Sequence, residues 1–272
     1  MYSIVVPITD IKGEKNKDQL DKLLTTISTG GYVCPILACF DSCHEDFIEY
    51  FTNKYSFITP VINDGNRLNF ARNVNLGLKY SLSNYPDNHV VIINQDSMLP
   101  VSEHFQFMIR EDVPCICSAS SVDISGDPVK VQNALNTLNV QAVKGYFKTL
   151  QKIPFYCVFI HREVLEKLGG LDGVYVASFE DDDYCTRSVL AGFDNYISSV
   201  KVYHEGTHID TNVGNFESAS GSYTLSRLGV NMTKYCTKYQ IHEPKLKHED
   251  MIEWVLANRK WDDKMKINLE DK

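Results

Sequence analysis

The chain has 272 residues, with 27 Lys and Arg against 35 Asp and Glu, for a formal net charge of −8. Hydrophobic residues at 43% and charged residues at 23% are ordinary for a globular protein with a sizeable core. The acidic balance argues against a protein built mainly to neutralise phosphate backbones. Residues 245–272 hold seven basic and seven acidic groups, so the whole deficit lies in residues 1–244.

The first predicted element is a buried strand, Ser3–Ile8. No basic segment precedes it, so no signal peptide is expected. Leu20, Leu23, Leu24 and Ile27 follow at helical spacing, and Gly30-Gly31 stops that helix. Then come a strand at Pro35–Phe40, a helix at His44–Lys54, a strand at Phe57–Ile62 and a helix at Asn69–Ser83. His89–Ile93 is a strand of continuous apolar content, which predicts cover on both faces. Pro114–Ser120 is a strand, and the polar stretch 121–150 reads as a loop with a helix. Phe155–Ile160 is a strand and Glu163–Leu168 a short helix ended by Gly169-Gly170. A helix then runs from the acidic cluster 180–183 to Ala191, capped by Gly192, before a strand at Tyr196–Tyr203. The tail from about 210 is polar until an amphipathic helix near 248–260. The longest apolar stretches, Phe155–Ile160 and Val90–Ile93, are too short to span a bilayer.

Strand–helix alternation predicts an α/β fold with a mainly parallel sheet and helices on both faces. Ligands in such sheets bind at the carboxyl ends of the strands, which points to Asp10, Asp41, Asp64 and Asp96. The eight cysteines include no CxxC pair, and several sit in apolar runs. They read as buried reduced thiols of a cytoplasmic protein, with Cys39, Cys43 and His44 as an alternative zinc cluster.

Three segments have the composition of a reactive site. Asn94-Gln95-Asp96 ends a buried strand, where it is either a turn or a seat for a hard divalent cation that leaves positions open to phosphate oxygens. In Glu180-Asp181-Asp182-Asp183, helical spacing sets Glu180, Asp183 and Arg187 on one face and Asp181 elsewhere. That cluster is either a solvated helix start or an arrangement in which Arg187 partners Glu180 and Asp183 and leaves Asp181 as a base. His204, in Val202-Tyr203-His204-Glu205-Gly206, is either a structural histidine or a metal ligand.

Taken in order, these segments resemble the family-2-type inverting glycosyltransferases of GT-A fold, in a rhamnosyltransferase-like branch. The matching stretches are Ile4-Val5-Val6-Pro7-Ile8, Phe40-Asp41-Ser42, Asn66–Asn73, Asn94-Gln95-Asp96, Gly169–Asp172, Phe179–Arg187 and Val202–His204. The resemblance implies a Rossmann-like GT-A domain over residues 1–210, and a small, mainly helical extension over 211–272 packed on the core. It implies transfer, with inversion, from a nucleoside-diphosphate sugar of UDP or dTDP type to the hydroxyl of a saccharide or other acceptor. Mn2+ or Mg2+ would be held by Asp96 and His204, Asp181 would be the base, and Glu180 would position the acceptor. Pro7, Asp41, Arg72, Asn94 and Asp96 would line the donor site, Asp41 against the nucleobase. Arg72 has a helix-surface salt bridge as its alternative role. Asn94 stands where the family has the first Asp of Asp-x-Asp, and Asp41-Ser42-Cys43 departs from its Asp-Gly-Ser or Asp-Asn-Ser. No Gln-x-x-Arg-Trp motif occurs, so a processive polysaccharide synthase is not expected. A DNA acceptor is disfavoured by the net charge. The rival readings are a catalytically weakened sugar-nucleotide or saccharide-binding protein and a nucleotidyltransferase. The latter lacks its Gly-rich loop, since Ile8–Lys17 holds only Gly13.

Overall fold

The run Val90–Ile93 has no polar face to offer solvent, and the fold covers it on both sides. Val91 and Ile93 enter one core, Val90 and Ile92 another, and all four are fully buried. Each contributes about 1.5–3 kcal/mol of apolar burial before chain entropy is set against it. Ile4, Val6 and Ile8 alternate with Val5 between the same two cores.

The computed structural model describes residues 1–63, 65–66, 68–123, 145–149, 153–176, 178–205, 215–218, 221–242 and 248–269. Its strands are β1 (Tyr2–Ile8), β2 (Ile36–Asp41), β3 (Ile58–Asn63), β4 (His89–Ile93), β5 (Ser97–Met98), β6 (Cys115–Asp123), β7 (Tyr146–Thr149), β8 (Cys157–Ile160) and β9 (Asp194–His204). A separate hairpin pairs β10 (Asn215–Ser218) with β11 (Gly221–Thr224). The helices are α1 (Glu14–Thr29), α2 (Glu45–Lys54), α3 (Phe70–Asn84), α4 (Ser102–Phe105), α5 (Arg162–Leu168), α6 (Glu180–Leu190), α7 (Leu225–Tyr239) and α8 (His248–Asn258).

One sheet runs in the order β3-β2-β1-β4-β8-β6-β9-β5, with β7 also on β9. β1 to β4 are parallel, β8 is antiparallel to β4 and β6, and β6 is parallel to β9. With β5 and β7 antiparallel to β9, six of the nine strands point the same way. β2 and β3 lie on one side of β1 and β4 on the other. The winding therefore reverses between β1 and β4, and the crevice at their carboxyl ends is the switch point where such sheets take ligands.

α1 and α2 cover one face through residues such as Leu20, Leu24 and Phe51. α3, α5 and α6 cover the other through Val74, Leu78, Leu165 and Tyr184. α3 lies so close that a Cβ on Gly77 would fall 2.4 Å from Val5 Cγ1 and 2.6 Å from Cys39 Sγ. α7 and α8 pack with Tyr175 and Phe179 in a third cluster, through Tyr235, Tyr239, Met251 and Val255. Further along, Ile267 crosses Gly169, whose φ of +70° and lack of a side chain admit the passing backbone; a Cβ there would meet Ile267 O at 1.9 Å.

Several elements differ from the sequence expectation. β5 is two residues long and carries no periodicity. β6 continues to Asp123, and Tyr146–Thr149 form a strand on β9 where a loop with a helix was expected. Residues 124–144 of that stretch lie outside the described residues, as do Asp64, Gly206 and the expected boundary at 210. α7, in the polar tail, was not foreseen because its buried stripe includes Asn231, Tyr235 and Tyr239, whose polar tips mask the pattern. Among the described residues no helix is long and apolar enough to cross a membrane.

Candidate active site

At the switch crevice the turn after β4 is tied across to β1. Gln95 Oε1 accepts the Thr9 backbone N–H at 2.7 Å, and Asn73 Nδ2, from α3, donates to Ile8 O at 3.3 Å. The turn closes on itself through Ser97 N to Asn94 O at 3.1 Å. β5 then pairs antiparallel with the end of β9, setting Ser97 opposite His204, while Glu205 N donates to Asp96 O at 2.7 Å. This small ladder brings Asp96 and His204 together. Asp96 Oδ1 stands 3.2 Å from His204 Nε2, with the two side chains 20% and 25% exposed. Lys22 and Gln19 of α1 anchor the next residue, Glu205, at 3.1 and 3.3 Å.

Three buried polar atoms beside this pair have no hydrogen-bond partner: Asn73 Oδ1, Asn94 Oδ1 and Gln95 Nε2. Buried polar groups are usually paired, so such a concentration calls for an explanation, and a polar ligand or an ion supplies one. The Asp96–His204 pair fits a divalent cation. Two donor atoms held at right angles, about 2.1 Å from one ion, stand about 3 Å apart. Among the described residues no group of three or more His, Cys, Asp or Glu side chains converges. The described residues would contribute one carboxylate oxygen and one imidazole nitrogen, with other positions open to water or ligand oxygens.

The other expected donor residues are placed differently. Pro7 is buried in β1, two residues beyond the last β1–β4 pair, where its missing N–H interrupts no bond to β4. Asp41 is 5% exposed, and its carboxylate already accepts from Asn63 Nδ2 at 2.7 Å, Leu68 N at 3.1 Å and Ser42 Oγ at 3.3 Å. These bonds fasten the end of β2 to the segment before α3 and use most of the carboxylate's accepting capacity. Arg72 is exposed, and among the described residues no carboxylate pairs with it. Its side chain lies along Gly173, and Asn69 Nδ2 donates to Gly173 O and Tyr175 O, both at 2.9 Å, so the start of α3 meets the loop leading to α6. Asp10 faces His44, at 2.5 Å to Nδ1 and 2.7 Å to the backbone N, beside a cavity of about 380 Å3 between the starts of α1 and α2. The cluster of Cys39, Cys43 and His44 does not assemble; burial pushes both thiols up, Cys43 to about 12.

The acidic cluster divides by burial. Glu180 and Asp181 are half-buried at the start of α6, whereas Asp182 and Asp183 are buried. Arg187 pairs with Asp183 at 2.7 Å, not with Glu180, and also donates to Leu168 O and Gly170 O, both at 2.9 Å. From α7, Lys238 reaches Asp183 at 2.6 Å and Asp172 at 2.8 Å, and Tyr239 donates to Asp183 at 2.9 Å. Burial alone would raise the Asp183 pKa, but Lys238 and Arg187 overcome it and hold the carboxyl below its ordinary value. Just before this helix Phe179 adopts φ +70°, a left-handed conformation rare for a bulky residue, with its ring among Tyr175 and Tyr235.

Sequence reasoning missed Asn231, which bridges Val176 O at 2.8 Å and Ser178 O at 3.2 Å ahead of α6, and Lys238. A lone Asn or Lys in a helix gives no signal of a distant partner. Tyr156, which accepts Asn94 N at 2.9 Å, was also missed, because an aromatic before a strand reads as core.

No protein-family model and no curated protein sequence matches this chain. Solved structures do. GalNAc-T7 with UDP, GalNAc and Mn2+ aligns with a TM-score of 0.57 at 13% identity, over 75% of this chain and 44% of that one. S. aureus TarS 1-349 aligns at 0.55 and 13%, over 95% and 71%. Mannosyltransferase PcManGT from Pyrobaculum calidifontis, with GDP-Man and Mn2+, aligns at 0.56 and 13%, over 94% and 72%. The chain thus spans less than half the length of the GalNAc-T7 chain. At this identity the likeness is one of fold: a mixed, mostly parallel sheet flanked by helices, of the GT-A type found in nucleotide-sugar glycosyltransferases.

Proposed function

We propose that this chain is an inverting glycosyltransferase that moves a sugar from a nucleoside diphosphate of UDP or dTDP type to an acceptor hydroxyl. The observation that carries the reading is the Asp96–His204 pair, 3.2 Å apart at the β1/β4 switch crevice and bordered by buried polar atoms without partners. A divalent cation, Mn2+ or Mg2+, would supply Lewis-acid stabilisation of the departing diphosphate. Asp96 and His204 are assigned to hold it, and Asn94, Arg72 and Pro7 to line the donor site. Asp41 is assigned to the nucleobase through whatever accepting capacity its internal bonds leave. Asp181 takes the proton from the acceptor hydroxyl as that oxygen attacks the anomeric carbon, and Glu180 positions the acceptor. Asn94 in place of the first Asp is the feature on which a rhamnosyltransferase-like branch is proposed.

Nucleotide release from a panel of UDP- and dTDP-sugars with Mn2+ tests the reading, with water or an added saccharide as acceptor. Wild-type chain should release nucleotide, Asp181→Asn should not, and the variant should still bind donor. Full turnover by Asp181→Asn would remove it as the base. Asn94 in place of an acidic ligand favours one second reading, a protein that binds the sugar nucleotide without transferring it. Thermal stabilisation by a donor without any nucleotide release, across the panel, would select that reading.

A further inference from the structure

We infer that Tyr156 is a positioning residue that fixes both members of the Asp96–His204 pair. It lies directly before β8, is 8% exposed, and touches the two halves of the pair by different means. Its backbone carbonyl accepts from Asn94 N at 2.9 Å and from Ser97 Oγ at 3.4 Å, so it holds the turn on both sides of Asp96. Its ring lies against the imidazole of His204, with centroids 5.2 Å apart and planes inclined by 34°. The phenol fixes the ring's own tilt by donating to Ala119 O on β6 at 2.7 Å. Ala119 falls where the register of β6 against β9 slips, between Ser118 and Ser120, in the stretch of ladder that leads to His204.

The inference follows from what a ligating imidazole needs. A histidine turns about two side-chain bonds, and its nitrogen can face Asp96 only if something blocks the other orientations. Groups that orient a ligand in this way commonly alter metal affinity about 10–100-fold when removed. Glu205 and α1 hold the backbone next to His204, and β5 holds Asp96 from the strand side. The ring of Tyr156 packs against His204 and so bears on the orientation of the imidazole. The hydroxyl acts one step further back, through the tilt of the ring, so its loss should matter less than loss of the ring itself.

This inference rests on Asp96 and His204 as the cation-holding residues, and one experiment separates the two claims. The full chain is titrated with Mn2+ in the presence of UDP, following the electron paramagnetic resonance of free Mn2+, for wild type, Asp96→Asn, His204→Ala, Tyr156→Phe and Tyr156→Leu. Tyr156→Leu should weaken Mn2+ binding about 10–100-fold, towards the level of His204→Ala, while Tyr156→Phe should stay within about threefold of wild type. UDP affinity without Mn2+ should be unchanged in both, an outcome that general loosening of the core would not produce. Wild-type Mn2+ affinity in Tyr156→Leu, beside a loss in His204→Ala, would overturn the positioning role; so would a Phe variant as defective as His204→Ala. Wild-type affinity in both Asp96→Asn and His204→Ala would instead overturn the cation site itself. If near-UV circular dichroism shows the Leu variant unfolded, Tyr156→Met is measured in its place under the same criterion.

Discussion

Replacing Arg187 by Met should destabilise the protein by about 3–5 kcal/mol, the range for breaking a buried ion pair from one side. Arg187 and Asp183 both have no exposed side-chain surface and stand 2.7 Å apart, so neither charge has water to fall back on. The substitution also takes donors from Leu168 O and Gly170 O, each a loss of about 1–3 kcal/mol when left buried and unpaired. These losses overlap, and Lys238 and Tyr239 still serve Asp183, which keeps the total inside the ion-pair range rather than above it. Urea unfolding at pH 7, with an unchanged slope and a lower midpoint, would measure it. A loss below about 1 kcal/mol would refute the claim that the pair anchors α6. The acid dependence has a definite sign. Asp183 is held below its ordinary pKa, so its contribution is full above the unfolded carboxylate range and is lost as pH falls through the folded value. Because Glu180 and Asp181 open the same helix, Arg187→Met should also lower nucleotide release at temperatures where it remains folded.

Other outcomes follow from single contacts. His89 is lowered to about 4 by burial and by neighbouring His161, while its Nδ1 accepts the Arg162 backbone N–H at 3.0 Å. Between about 6.5 and 4 the unfolded chain takes up a proton that the folded chain does not, so stability should fall by about 2–3 kcal/mol as pH drops through that window. His89→Gln should flatten that stretch of a melting-temperature profile; an unaltered profile would remove His89 as the cause. Gly77→Ala should lose about 1–3 kcal/mol by overpacking against Val5 and Cys39, and Cys39→Ala should restore part of it in the double variant, read from urea midpoints. Asp96→Ala should abolish Mn2+-dependent UDP binding in calorimetry; equal UDP affinity with and without Mn2+ in the wild type would remove the cation from the site.

Much of the parallel half of the sheet was legible because period and burial agree there. A run such as Val90–Ile93 has a single way to avoid water, and Leu20, Leu23, Leu24 and Ile27 have one face to bury. The residues Asp96, His204, Glu180 and Asp181 were also legible as types at strand and helix ends. Their partners were not. Arg187 has Glu180 and Asp183 on one helical face, and spacing alone does not choose between them; the choice falls to Asp183 because Leu168, Gly170, Lys238 and Tyr239 converge on that side. Asp41 is legible as a carboxylate at a strand end, but its bonds to Asn63, Ser42 and Leu68 are not.

The same division holds for the acidic excess with which the chain presents itself. The concentration of charge before residue 245 and the carboxylates at strand and helix ends follow from local order along the chain. Which of them face a crevice and which are consumed inside is settled by contacts between distant segments. That decision depends on residues brought from far along the chain: a two-residue strand pairing with β9, a tyrosine before β8, and a lysine on α7. None of these has a periodicity or a motif, because what each contributes is a contact that exists only after the sheet has closed around it.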